Sequence, residues 1–342
     1  MAEIKPNYDT KRKKLAEIIP LAHPFTVYIE QTKYCNFKCF YCIHSTRDEA
    51  NGEFRALGHR MQHIDEGFFE KIIHDLKAFP QGGIKRIVFS GLGEPLMNPR
   101  LPDYVRMAVE AGIAGRVEVI TNGLLLTPEK SKTLVEAGIT NINISVQGLD
   151  AEGYQETCGV RIDFDHYLEN LKYLYEHKGN VQIYIKAIDA TLKTKENEEK
   201  FFRIFSPFAD RIYIEHLVVM QQQMDGLREI VDGTKNFYGE ELDVNRKVCA
   251  QSFYFMQIGC EGDIFPCPVP GLGRNLSMGN AKEHTLVEIW NGSRRRGFLR
   301  KMLKKEKDQI PDCATCTCFN AINNPMEQLD DDAERLLPLF ED

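Results

Sequence analysis

From Phe25 onward, apolar β-branched runs alternate with stretches of helical period, and each run ends in a polar or glycine-rich turn. The runs Phe25–Glu30, Arg86–Ser90, Val117–Asn122, Asn141–Val146, Val181–Ile188 and Arg211–Glu215 predict six strands. Between them the spacing predicts helices over Glu66–Phe79, Pro102–Ala111, Pro128–Ala137, Phe164–His177 and Glu196–Ile204. Asp65 can cap the first of these, with Glu66 at the positive end of its dipole. Thr127 can cap the third, whose first turn starts on Pro128. Residues 1–22 read as a leading arm with a short helix over Lys11–Ile19.

Six strands alternating with helices imply parallel pairing through right-handed crossovers. The pattern stops near residue 216, so the expected fold class is α/β, a partial (β/α)6 TIM-like barrel over 23–216. Binding groups in such folds gather at the carboxyl ends of the strands. A connection at 217–244 leads to a different texture, in which cysteine, glycine and proline punctuate short segments such as Gly259–Cys267. One helix is predicted over Thr285–Trp290 and a basic one over Arg294–Lys305. This gives a small cysteine-rich domain over 245–327 and an acidic, helix-capable tail over 328–342.

The net charge of −7 weighs against a nucleic-acid surface, which is usually basic. The local run of Arg294, Arg295, Arg296, Arg300 and Lys301 reads as a solvated helix face. No apolar stretch approaches the ~18 residues of a membrane span, and Met1–Lys14 lacks the apolar core of a signal peptide. A cytoplasmic location follows as the expectation. In a reducing compartment, ten cysteines read as metal ligands or catalytic thiols rather than disulfides.

Cys35, Cys39 and Cys42 follow the first strand with the spacing C-x3-C-x2-C. Thiolates are the usual ligands of iron–sulfur clusters. Three of them can hold one face of a cubane and leave its fourth iron open, whereas a closed structural site wants four. A zinc knuckle with His44 as fourth ligand is the competing reading. Later in the chain Cys249 is followed by twelve residues, Gly262, four residues and Cys267, and Cys313-Ala314-Thr315-Cys316 supplies a second pair. Gly262-Asp263 is turn chemistry, so a hairpin over Ile258–Phe265 would bring Cys249 and Cys267 together. Zinc competes with iron here too; Cys318 is a spare that could replace Cys316, Cys260 reads as a small core residue, and Cys158 stands alone.

The triplet, with aromatic Tyr41 before its last cysteine, resembles the signature of the radical S-adenosylmethionine superfamily. Ser90-Gly91-Leu92-Gly93-Glu94-Pro95 is similar to that family's glycine-rich segment, and Thr121-Asn122-Gly123 and Ser145-Val146-Gln147-Gly148 fall at its other strand ends. The resemblance implies a 4Fe–4S cluster on Cys35, Cys39 and Cys42. It places S-adenosylmethionine against Tyr41, Gly91, Gly93, Glu94, Asn122, Ser145 and Gln147, with Glu94 on the methionyl amine and Lys186 a candidate for its carboxylate. The family often has Asp at the position of Gln147, and an arginine expected near Cys158-Gly159 is absent. The later cysteines, with Gly279-Asn280 and Ile289-Trp290-Asn291, resemble the SPASM and Twitch extensions. They imply one auxiliary 4Fe–4S cluster on Cys249, Cys267, Cys313 and Cys316.

By the same resemblance, electrons come from a flavodoxin- or ferredoxin-like donor, and a 5′-deoxyadenosyl radical removes hydrogen from the substrate. Glu215, His216, Lys186 and Asp189 are the candidate groups facing it, and Cys158 a candidate hydrogen donor. The expected substrate is a small polar molecule such as a sugar or aminocyclitol, oxidised with help from the auxiliary cluster. A peptide-modifying enzyme forming a thioether, crosslink or epimer is the alternative, against which the short stretch before Phe25 weighs.

Overall fold

The computed structural model describes residues 2–7, 12–220, 226–227, 229, 231–243, 245–321 and 324–341. All six expected strands form: β2 (Thr26–Ile29), β3 (Arg86–Phe89), β4 (Arg116–Thr121), β5 (Asn141–Val146), β6 (Gln182–Ile188) and β7 (Arg211–Glu215). They pair in parallel in that order. The sheet continues at both ends. β1 (Glu3–Ile4) lies parallel to β7, and β8 (Phe255–Ile258) lies parallel to β2 before turning back into antiparallel β9 (Ile264–Phe265). The expected hairpin thus forms, with Gly262 at φ 98° in its turn, but it extends the barrel sheet instead of standing apart from it. Among its described residues the arm contributes an edge strand and one 3-10 turn, Leu15–Glu17; Lys11 lies outside the described residues.

The five expected helices run Glu66–Lys77, Leu101–Glu110, Pro128–Glu136, Phe164–His177 and Lys195–Phe205. Asp65 and Thr127 cap as their positions suggest, accepting from Phe68 N at 2.9 Å and Lys130 N at 3.3 Å. One face of each strand packs on these helices: Val27, Ile29, Ile87, Phe89, Val119, Ile142, Ile144, Ile185 and Ile212 meet Phe69, Ile72, Tyr104, Leu134, Leu171 and Phe201. Alternation sends the next residues the other way. Those are Tyr28, Arg86, Glu118, Asn143, Tyr184, Lys186 and Glu215, and they line a cavity.

A second core joins Leu15, Ala16, Phe253, Leu299, Met302, Leu329, Leu336 and Phe340. The acidic tail packs into this core over its described residues, which end at 341: Ala333–Leu336 is helical, and Arg335 donates to the Ala16 carbonyl at 3.0 Å. The basic run also departs from its expectation. Arg295 is buried, stacks over Trp290 with its guanidinium carbon 3.4 Å from the ring centroid, and donates to the carbonyls of Trp290, Ser252 and Phe253. Charge alone hid this, because Arg295 shares its helix, Ser293–Leu303, with solvated arginines. Replacing Arg295 with alanine strands three buried carbonyls and empties the Trp290 face. That should cost about 2–4 kcal/mol, read as a lower denaturant midpoint with unchanged slope.

Candidate functional site

The loop after β2 carries Cys35, Cys39 and Cys42 and is held from several sides. Arg47 donates to the carbonyls of Cys35 at 2.8 Å and Phe37 at 2.7 Å. A helix the sequence did not announce, Ala151–Cys158, capped by Asp150 and ended by left-handed Gly159, presents carbonyls to the loop. Lys38 N donates to Cys158 O, and Phe40 N to Thr157 O, both at 3.0 Å. The Cys158 thiol, fully buried, thereby meets that of Cys39. The three loop thiols lie within electrostatic reach of one another, and burial pushes Cys42 up to about 12.

The segment after β3 lies against this loop. A side chain on Gly93 would stand 2.3 Å from the Thr32 carbonyl, and one on Gly91 2.6 Å from Glu30. Both positions need glycine for close approach. Buried Glu94 accepts from Thr121 Oγ1 at 2.6 Å, Asn122 N at 2.8 Å and Leu96 N at 3.0 Å. Burial raises its carboxyl while these donors oppose the shift. Asn122 is tied across to the loop, donating to Asn36 Oδ1 at 2.7 Å. The Tyr41 hydroxyl donates to Gln147 Oε1, so the residue replacing the expected acid contacts the signature aromatic. Gln147 in turn donates to Ser145 O at 3.2 Å.

A cavity of about 930 Å³ opens from Tyr41, Cys42, Ser90 and Gly91 into the barrel. Lys186 Nζ and Glu215 Oε2 pair at 2.6 Å on its wall, with Tyr184 donating to Glu215 at 3.2 Å. His216 also lines it, but both its ring nitrogens are engaged, by Asp189 Oδ2 at 2.5 Å and the Asp232 carbonyl at 2.9 Å. Asp189 additionally accepts from Leu217 N, so the pair clamps the end of β7 to that of β6.

Cys249, Cys267, Cys313, Cys316 and Cys318 line one further pocket. Lys307 closes its rim through Cys313 O and Ala314 O. Among the described residues, no three or more His, Cys, Asp or Glu side chains converge closely enough to hold a single metal ion. A lone tetrahedral ion needs all four donors at about 2.0–2.3 Å, whereas a cubane spreads its thiolates over separate corners. The donors of both groups are cysteine thiols, the usual ligands of iron–sulfur clusters, and in that chemistry they fit such clusters. Cys260 lies elsewhere, buried with its thiol donating to Glu30 O at 3.0 Å.

A parallel partial barrel with a thiol triplet at its first strand end and a second thiol pocket behind defines a metal-cluster enzyme. Residues 29–205 match the model of the radical SAM superfamily, and 249–317 match that of the SPASM iron–sulfur cluster-binding domain. The chain belongs to the radical SAM superfamily and carries a SPASM domain. Its cofactors are accordingly 4Fe–4S clusters and S-adenosylmethionine. It is 24% identical over 330 residues to a tungsten-containing aldehyde ferredoxin oxidoreductase cofactor-modifying protein of Pyrococcus furiosus, covering 86% of this chain and 88% of that one. It is 25% identical over 340 residues to a PqqA peptide cyclase of Streptomyces rochei, covering 86% and 85%. The solved structure of BtrN with AdoMet and 2-DOIA aligns over 85% of this chain and 92% of that one, with a TM-score of 0.55 at 18% identity, which supports the fold. No helix among the described residues is long and apolar enough to cross a membrane.

Proposed function

We propose that this enzyme removes hydrogen from a small polar substrate, of sugar or aminocyclitol kind, seated in the barrel cavity, and that the net reaction is an oxidation. The observation that carries the reading is a polar patch on the barrel-side wall of an otherwise largely apolar cavity. TIM-like barrels usually fill their interior with branched apolar side chains; here Tyr28, Glu118, Asn143, Tyr184, Lys186 and Glu215 surround open space that reaches Tyr41 and Cys42. Hydroxyl and amino groups would find donors and acceptors along that strand wall.

Cys35, Cys39 and Cys42 would hold the first cluster, and Gly91, Gly93, Glu94, Asn122, Ser145, Gln147 and Tyr41 would seat S-adenosylmethionine. Together these cofactors supply a 5′-deoxyadenosyl radical when bound. Cys249, Cys267, Cys313 and Cys316 would hold one auxiliary cluster. Glu215, kept beside Lys186, would take the hydroxyl proton of a substrate radical. His216 acts as a positioning residue that fixes the end of β7. A low-potential flavodoxin- or ferredoxin-like protein would supply electrons.

Likeness to a peptide cyclase over most of its length supports a second reading, a peptide substrate. The cavity lies near the upper end of small-ligand sites, about 300–1,000 Å³. Anaerobic assays with an aminocyclitol panel and a short-peptide panel separate the two by which one consumes S-adenosylmethionine stoichiometrically with product.

In either assay, Glu215→Gln should lower product formation about 100-fold, the scale of one general base. Release of 5′-deoxyadenosine should stay within about threefold, because radical generation precedes the proton transfer. Equal losses in both would assign Glu215 to cofactor binding.

A further inference from the structure

Five thiols surround the second pocket, yet a cubane presents four iron corners. Cys318 is the unassigned one, and it lies one residue beyond the SPASM match, which ends at 317. Its position differs from that of the other four. Cys249, Cys267, Cys313 and Cys316 line the cluster pocket alone; Cys318 lines that pocket and the substrate cavity as well. Met220, Gln251 and Pro270 share this double position, so these four residues form the partition between the two spaces.

The partition is built, not incidental. Cys318 is buried and packs with Val218, Val269 and Ala321. Its carbonyl accepts from Gln251 Nε2 at 3.1 Å and from Ala321 N at 3.0 Å. Thr317, just before it, donates to Val219 O at 2.9 Å, which anchors the turn to the segment leaving β7.

Cys316 and Cys318 are two residues apart on this turn. The Cys267 thiol lies within electrostatic reach of both, as does that of Cys249. Two thiols on one turn thus reach the same pair of cysteines.

We propose that Cys316 and Cys318 are interchangeable ligands to one iron of the auxiliary cluster, the iron nearest the substrate cavity. With Cys316 bound, the Cys318 thiol is free in the cavity wall; with Cys318 bound, the wall itself is coordinated. One Fe–S bond breaks as the other forms, the incoming thiol gives up its proton and the outgoing thiolate takes one. No electron is transferred, so no oxidant or reductant is needed. The exchange gives the substrate cavity a direct handle on the auxiliary cluster.

The proposal rests on the auxiliary-cluster reading above, and iron analysis separates the two. Reconstituted wild-type protein should hold about eight irons, four per cluster. Cys316→Ala and Cys318→Ala should each keep about eight, and the two reduced proteins should differ in their electron paramagnetic resonance spectra. The double variant should fall to about four, as should Cys249→Ala. A fall to about four in either single variant at 316 or 318 overturns the exchange. Wild-type protein holding about four irons overturns the auxiliary cluster itself. Circular dichroism of the four variants checks that each is folded.

Discussion

Cys42→Ala should reduce formation of 5′-deoxyadenosine by at least ~10³-fold, since the group that carries the electron is lost with its ligand. Cys42 contributes more than a sulfur. The residue borders the substrate cavity, its backbone N donates to Cys39 O at 2.9 Å, and its own carbonyl accepts from Ser45 N and Ser45 Oγ. Alanine keeps both backbone contacts and the loop clamped by Arg47, so the variant should fold. Its iron should fall from about eight to about four per chain, with the auxiliary signal intact. Iron analysis paired with anaerobic chromatography of the nucleoside checks both halves. A variant that loses iron and still forms 5′-deoxyadenosine at the wild-type rate would remove the triplet from the chemistry.

The second large effect is expected at Glu94. Its carboxylate gathers three donors, Thr121 Oγ1 and Asn122 N at the end of β4 and Leu96 N in the 3-10 turn that Glu94 itself caps. In Glu94→Gln one oxygen becomes an NH2, which faces hydrogen-bond donors and cannot accept. An unsatisfied buried pair of this kind costs about 1–3 kcal/mol, and the proposed partner on the cofactor loses a charge-assisted bond worth about as much. S-adenosylmethionine should bind at least about 30-fold more weakly, measured by equilibrium dialysis under anaerobic conditions. Glu94→Asp should bind better than Glu94→Gln if charge is what the site uses. The reverse order would make Glu94 a purely structural hub.

Much of this was legible beforehand, for identifiable reasons. The strand runs are rich in β-branched residues and end in polar or glycine-containing turns, and the helices carry caps at Asp65 and Thr127, so local chemistry and tertiary structure agree. The triplet and Gly93-Glu94-Pro95 were legible because they need close backbone approach and fixed spacing, both written in consecutive residues. The helix Ala151–Cys158 was not, since its buried face, Tyr154, Thr157 and Cys158, is one turn long and holds a single large side chain. Its signals were Asp150 at the start and Gly159 at the end. Missing it left Cys158 isolated, although the fold seats its thiol against Cys39.

Long-range pairing was equally silent. Nothing in Phe255–Ile258 says that it will join β2 in parallel rather than a separate module, because the partner lies more than 200 residues away. The burial of Arg295 and the docking of Leu336 and Phe340 are of the same kind. Each depends on a surface assembled from distant segments. Candidate residues on the barrel wall divided for a local reason: Lys186 and Glu215 face open space, while His216 spends both nitrogens on its neighbours.

Radical formation requires an iron of the first cluster that the protein leaves for S-adenosylmethionine. Cys249→Ala isolates that cluster, and pulsed electron–nuclear double resonance on the reduced variant, with the cofactor labelled by 15N at its amino group and 17O at its carboxylate, reads the vacancy directly. Coupling from both labels, with a shifted cluster spectrum, is the predicted result. An unchanged spectrum with coupling to neither label would contradict it.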